Sequence, residues 1–161
     1  MALLREILDS LRAGDVAVFD RFYCSFIMLA MLRQGGVHFC TRLHQRCPTD
    51  FRRGQRLGPD DRLVTWIRPQ KPAWMSVEQY AEIPETMTLR QVRFPVNVPG
   101  RRVETLIVVT SLTDPLAYPK KDIAELYGYR WCAEMYQPYC LHCHRFYDSS
   151  LRGLGFVNSA A

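Results

Sequence analysis

Residues Val16 to Phe19, "VAVF", place four apolar side chains in succession, and no other stretch constrains the fold as much. Neighbouring side chains of a strand point to opposite faces. An unbroken apolar run is therefore stable only where both faces are covered, as in a parallel sheet with helices on each side. The residues that follow support that environment. "RFYCSFIMLAMLRQGG" predicts a mostly buried helix closed by Gly35 and Gly36, and "VHFCTRL" predicts the next strand. Strand, helix, strand is the crossover that makes sheets parallel. Upstream, "ALLREILDSLRAGD" sets Leu3, Leu4, Ile7, Leu8 and Leu11 at the spacing of a one-faced helix that Gly14 stops.

From Gln45 to Arg102 the texture changes. Pro48, Pro59, Pro69, Pro72, Pro84, Pro95 and Pro99 exclude long helices, while "RLVTWI" and "TLRQVRFPVNV" alternate as exposed β-ribbons do. A β-rich insertion is expected here. "ETLIVVTSL" then returns to an unbroken buried strand, and "DPLAYP" turns into a helix from about Lys120 to Tyr136 that Pro138 ends. The expected organisation is a core of 1–44, an insertion of 45–102, a return to the core over 103–137, and a tail of 138–161.

The 161 residues are 48% hydrophobic, which suits one globular domain. The longest apolar stretch, Phe22 to Leu32, is about half of what a bilayer span requires. Charges at Arg5, Glu6 and Asp9, with no small-residue cleavage site after an apolar run, argue against a signal peptide. A soluble, cytoplasmic protein is expected, and its six irregularly spaced cysteines read as reduced thiols. The net charge of +5 is concentrated. Between Arg33 and Lys71, the basic residues Arg33, Arg42, Arg46, Arg52, Arg53, Arg56, Arg62, Arg68 and Lys71 face only Asp50, Asp60 and Asp61. Such a block suits a polyanion, since each cation on a phosphate releases counterions, but it equally suits a solvated loop.

Two features carry chemistry. Asp20 follows the "VAVF" strand directly, and ligands of open α/β sheets collect at the carboxyl ends of strands. The structural alternative is an N-cap for the following helix. Further on, "ELYGYRWCAEMY" sets Tyr127, Arg130 and Glu134 at i, i+3 and i+7, along one helical face. Here the alternative is an exposed polar stripe with an Arg130 to Glu134 ion pair.

Three segments occur in order and at suitable separations: "GDVAVFDRFYCS", "RLHQRCPTDFRRGQRLGPDDRLVTW" with "PAWM" and "IPET" after it, and "YPKKDIAELYGYRWCAE". Together they resemble the DDE transposases of the insertion sequence 4 group, from about Ala2 to Glu134. The last segment has that family's Tyr, two residues, Arg, three residues, Glu spacing. The resemblance implies an α/β chain with a partial ribonuclease-H-like fold, and a β-rich insertion between the second and third catalytic carboxylates. It implies that Asp20 and Glu134 are those carboxylates and bind divalent cations, normally Mg2+, through hard oxygen ligands. One cation would activate water or a DNA 3′-hydroxyl, and the other would stabilise the leaving oxygen during in-line attack on phosphorus. Tyr127 and Arg130 match positions that hold transposon-end DNA. Arg42, Arg46, Arg52, Arg53 and Arg56 would add backbone contacts that read no sequence. The implied partners are transposon-end DNA, target DNA and a transposase dimer.

The chain also departs from that pattern. The family's first aspartate lies on a strand before the helix "ALLREILDSL", within which this sequence begins, and Asp9 and Asp15 are poor substitutes. At the other end the family continues from the Glu to a lysine seven residues on, where this chain has Leu141. The expectation is a transposase fragment that has lost its first carboxylate and carries a divergent tail, without useful nuclease activity. An alternative is a non-catalytic DNA- or partner-binding module that interferes with a full-length transposase. Missing central strands would leave apolar sheet edges exposed. The tail motif "CLHCH" offers zinc ligand types in Cys140, His142, Cys143 and His144, with Cys132 upstream, but two histidines two apart lack the usual zinc spacing and chance composition explains it better.

Overall fold

The computed structural model describes residues 11–47, 49–96, 104–135 and 156–158, with the side chains of residues 104, 131–135 and 156–158 left aside. Its strands are β1 Val16–Phe19, β2 His38–Arg42, β3 Gln55–Gly58, β4 Asp61–Ile67, β5 Thr86–Val96, β6 Glu104–Thr110 and β7 Phe156–Asn158. Its helices are α1 Phe26–Gln34, α2 Val77–Glu82 and α3 Lys120–Met135, with a 3-10 turn at Arg21–Tyr23. All seven strands join one sheet in the order β3-β4-β5-β6-β2-β1-β7. β1 runs parallel to β2 and to β7, and every other pairing is antiparallel.

The apolar run of β1 is covered on both faces, as its sequence demands. Ala17 and Phe19 point into a cluster formed with α1, and Val16 and Val18 into a second cluster formed with Ile123, Leu126 and Tyr127 of α3. The sheet therefore lies between two helical layers. Phe39 and Cys40 of β2 divide between the same two clusters, which places the ends of β1 and β2 under α3. The expected helix 2–13 falls almost wholly, and the Pro138 stop wholly, outside the described residues. Among the described residues no helix is long and apolar enough to cross a membrane.

Three features differ from the sequence expectations. First, β5 is no exposed ribbon: it lies between β4 and β6, and Leu89, Arg90, Gln91 and Val92 are all buried. Its polar residues alternate with apolar ones because they have buried partners. The Arg90 guanidinium binds Asp61 at 2.8 and 2.6 Å, and Arg62 donates to the Gln91 side chain at 3.2 and 2.6 Å. Second, the helix after β1 does not start at Arg21. The 3-10 turn ends at Cys24, Ser25 is extended (φ −126°, ψ 144°), and α1 begins at Phe26. This break lets Phe26 enter the core while Phe22, one helical turn earlier, stays exposed. Third, the second edge of β1 is not open, because Val16, Ala17 and Val18 pair with Phe156, Val157 and Asn158 of the tail.

Candidate functional site at the ends of β1 and β2

Asp20 leaves β1 with φ −75° and ψ 162° and is half-buried. Its carbonyl accepts two hydrogen bonds, from the Tyr23 N–H at 3.1 Å and from the Thr41 hydroxyl at 3.1 Å. The second bond ties the end of β1 to the end of β2. Asp20 occupies the N-cap position of the 3-10 turn, yet its side chain makes no capping hydrogen bond. Nor does it cap α1, whose N-cap is Ser25. The backbone is held while the side chain makes no capping hydrogen bond, so the capping explanation fails on geometry.

The register Phe19 opposite Thr41 brings Arg42 beside Asp20 at the same sheet end. Helix α3 lies across this end, its Ile123, Leu126 and Tyr127 turned to the sheet. The Tyr127 ring is 1% exposed, and its hydroxyl finds no hydrogen-bond partner among the described residues. A buried hydroxyl without a partner costs about 1–3 kcal/mol, so its retention calls for an explanation. Burial pushes the Tyr127 hydroxyl up to about 12; Arg130 opposes this, Asp20 reinforces it, and Cys40 and Arg42 act more weakly with opposite signs.

Of the residues read from sequence as a site, Asp20 and Arg42 stand side by side at the ends of β1 and β2, Tyr127 packs against Val16, Val18 and Cys40 of those strands, and Arg130 is three residues further along α3. Glu134 lies on α3 one further turn along, and its side chain is outside the described residues. The remaining arginines lie elsewhere. Arg46 is exposed in the turn after β2, while Arg56 sits on β3, five strand positions from β1 and about 24 Å away at normal strand spacing. Arg52 and Arg53 both reach Asp50, whose carboxyl is held below its usual range chiefly by its hydrogen bond with Arg52.

Much of the basic excess is structural. Arg33 donates to the Thr88 carbonyl at 3.1 Å, Arg62 to the Arg53 carbonyl at 2.8 Å, Arg68 to the Tyr80 carbonyl at 3.0 Å, and Lys71 to the Met75 carbonyl at 2.8 Å. Arg62 and Arg93 also lie over the Phe51 ring, at 4.3 and 4.6 Å from its centroid, and Arg93 pairs with Asp60. Sequence reasoning missed the Arg90–Asp61 pair, which is buried beside the second core cluster. Arg90 also donates to the Tyr118 carbonyl at 2.6 Å, two residues before α3. The strands β4 and β5 thereby fix where the site helix begins.

A match to the family model of the transposase DDE domain extends over residues 1–137, spanning both Asp20 and Glu134. The chain belongs to the DDE transposase family. Comparison with curated proteins and with solved structures gives no match. The α/β sheet is compatible with the nuclease-like domain of DDE transposases, which act on DNA and typically use divalent metal. As a donor to such a cation, Asp20 offers the right hard oxygen chemistry. Among the described residues no three His, Cys, Asp or Glu side chains come together, and the Glu134 side chain lies outside them. The "CLHCH" cysteines and histidines lie outside the described residues.

Proposed function

We propose that this DDE transposase domain, of the insertion sequence 4 group and ribonuclease-H-like in its core, grips a DNA phosphate at the joint carboxyl end of β1 and β2. Arg42 and Arg130 attract the phosphate, and Tyr127 packs between α3 and the sheet beneath this strand end. Asp20 and Glu134 are the carboxylates directed to divalent cation. The observation that carries this reading is the uncapped Asp20 side chain at the strand end that also carries Arg42, with α3 packed over the same strands. Arg46, Arg52, Arg53 and Arg56 extend the cationic surface over the backbone of a longer duplex, which also favours a protein that stays bound without reading bases.

The role proposed for this site is to bind DNA through its phosphates. The test is duplex binding measured from low to moderate salt, with Arg42→Ala and Arg130→Ala beside the unaltered protein. Affinity should fall as a power of salt concentration, and each variant should flatten the slope by about one. Binding that ignores salt, or variants that leave the slope unchanged, would overturn it.

A further inference from the structure

Among the described residues Phe22 is one of five large apolar side chains left exposed, with 64% of its surface in solvent, and it stands two residues past Asp20. Single exposed apolar residues are common and need no special cause. What distinguishes this one is how it is held. Tyr23 meets its ring edge-on, with centroids 5.5 Å apart and planes at 88°, and Tyr23 in turn lies 5.8 Å from the buried ring of Phe19. Three rings step outward from the core to the end of β1. The backbone of the turn is fixed as well, since Tyr23 donates to Asp20 and Cys24 to Arg21, both at 3.1 Å.

Cations stand near the same turn. Arg21 is exposed next to Phe22 in the chain, and Arg42 follows Thr41 at the end of β2, beside Asp20. A held, solvent-facing aromatic ring with guanidinium groups nearby is the combination that binds single-stranded nucleic acid: the cations follow phosphates while the ring stacks on a base. The helix break at Cys24 and Ser25 keeps the ring there, because a helix continuous from Arg21 would turn Phe22 toward the side that buries Phe26.

We propose that Phe22 is a stacking platform for an unpaired nucleobase of DNA, adjacent to the phosphate held at Asp20. The inference rests on the DNA-binding reading above and adds a preference that phosphate contacts alone do not give. DNA with a single-stranded overhang should bind better than a blunt duplex of the same paired sequence.

Two such DNAs test it by fluorescence anisotropy, the overhang carrying 2-aminopurine at its first unpaired position. Phe22→Ala should weaken overhang binding about tenfold and blunt-duplex binding less than about twofold. Phe22→Leu, apolar but without a π face, should behave like Phe22→Ala, whereas Phe22→Trp should restore affinity and quench the 2-aminopurine. Equal losses on both DNAs, rescue by leucine, or no loss at all would overturn the role of Phe22 and leave the phosphate site standing. If the unaltered protein binds neither DNA, both the phosphate site and the platform fall.

Discussion

Replacing Arg90 by methionine should cost this domain a large part of its stability, and the reason is the residue it abandons. Arg90 is fully buried and Asp61 is 5% exposed, so removing the guanidinium strands a carboxylate that water barely reaches. Breaking a buried pair from one side typically costs about 3–5 kcal/mol. Against a whole-domain stability of about 5–15 kcal/mol, that is enough to unfold a substantial fraction of molecules. The double variant Asp61→Leu/Arg90→Met removes both charges and should recover most of the loss. Recovery should stop short of complete, because the Tyr118 carbonyl that Arg90 binds at 2.6 Å is left unpaired, a penalty of about 1–3 kcal/mol. Urea denaturation of the unaltered protein, both single variants and the double variant gives the coupling energy directly. A loss below about 1 kcal/mol for Arg90→Met, or strictly additive single effects, would refute the description of a water-excluded pair. Because Arg90 anchors the entry to α3, any folded Arg90→Met protein should also bind DNA more weakly than its surface charge predicts.

Tyr127→Phe removes a buried hydroxyl that has no partner among the described residues, and at neutral pH it should leave stability unchanged or raise it by up to about 1 kcal/mol. The folded state holds that hydroxyl protonated up to about 12, above its unfolded value, so the unaltered protein should lose this contribution as pH rises from about 10 toward 12. Buried cysteines titrate in the same range, so the difference between the two proteins' chemical-denaturation curves is the quantity to read. Two serines make a matched comparison. Ser76 caps α2 through a reciprocal capping box with Gln79, so Ser76→Ala should cost about 1 kcal/mol. Ser25 is the N-cap of α1 but makes no capping bond and its hydroxyl is buried without a partner, so Ser25→Ala should cost nothing measurable in the same urea titration.

The elements legible in the sequence are those whose environment is uniform along their length. β1, β2 and β6 are apolar and buried, and α3 has a clear start after Pro119, so their identity follows from local pattern. The position of Asp20 was legible for the same reason: a strand that must be covered on both faces ends where its first acid stands. What was not legible depends on partners distant in the chain. Arg90 and Arg62 looked like solvent-facing charges, but each meets its partner 29 residues away across β4 and β5, and nothing local distinguishes a paired buried arginine from an exposed one. Nor does composition separate the members of the basic block that serve the fold: Arg33, Arg68 and Lys71 satisfy their own chain's carbonyls. The 3-10 turn was also hidden, since "RFYCSF" has no glycine or proline to mark the break; the competition between Phe22 and Phe26 for the core decides it.

The pairing of β7 with β1 bears on when the site can exist during synthesis. Val16 and Phe156 are partners although almost the whole chain separates them, and contacts this remote form late because the intervening loop must be closed first. On the ribosome the N-terminal portion emerges first, and β1 can take β2 as a neighbour long before Phe156 is made. Until then the strand that presents Asp20 has one unpaired margin, open to any extended chain that reaches it. The tail therefore acts as a latch that converts the strand under the candidate site from a margin into an interior strand, and it does so only once Phe156 to Asn158 have been made.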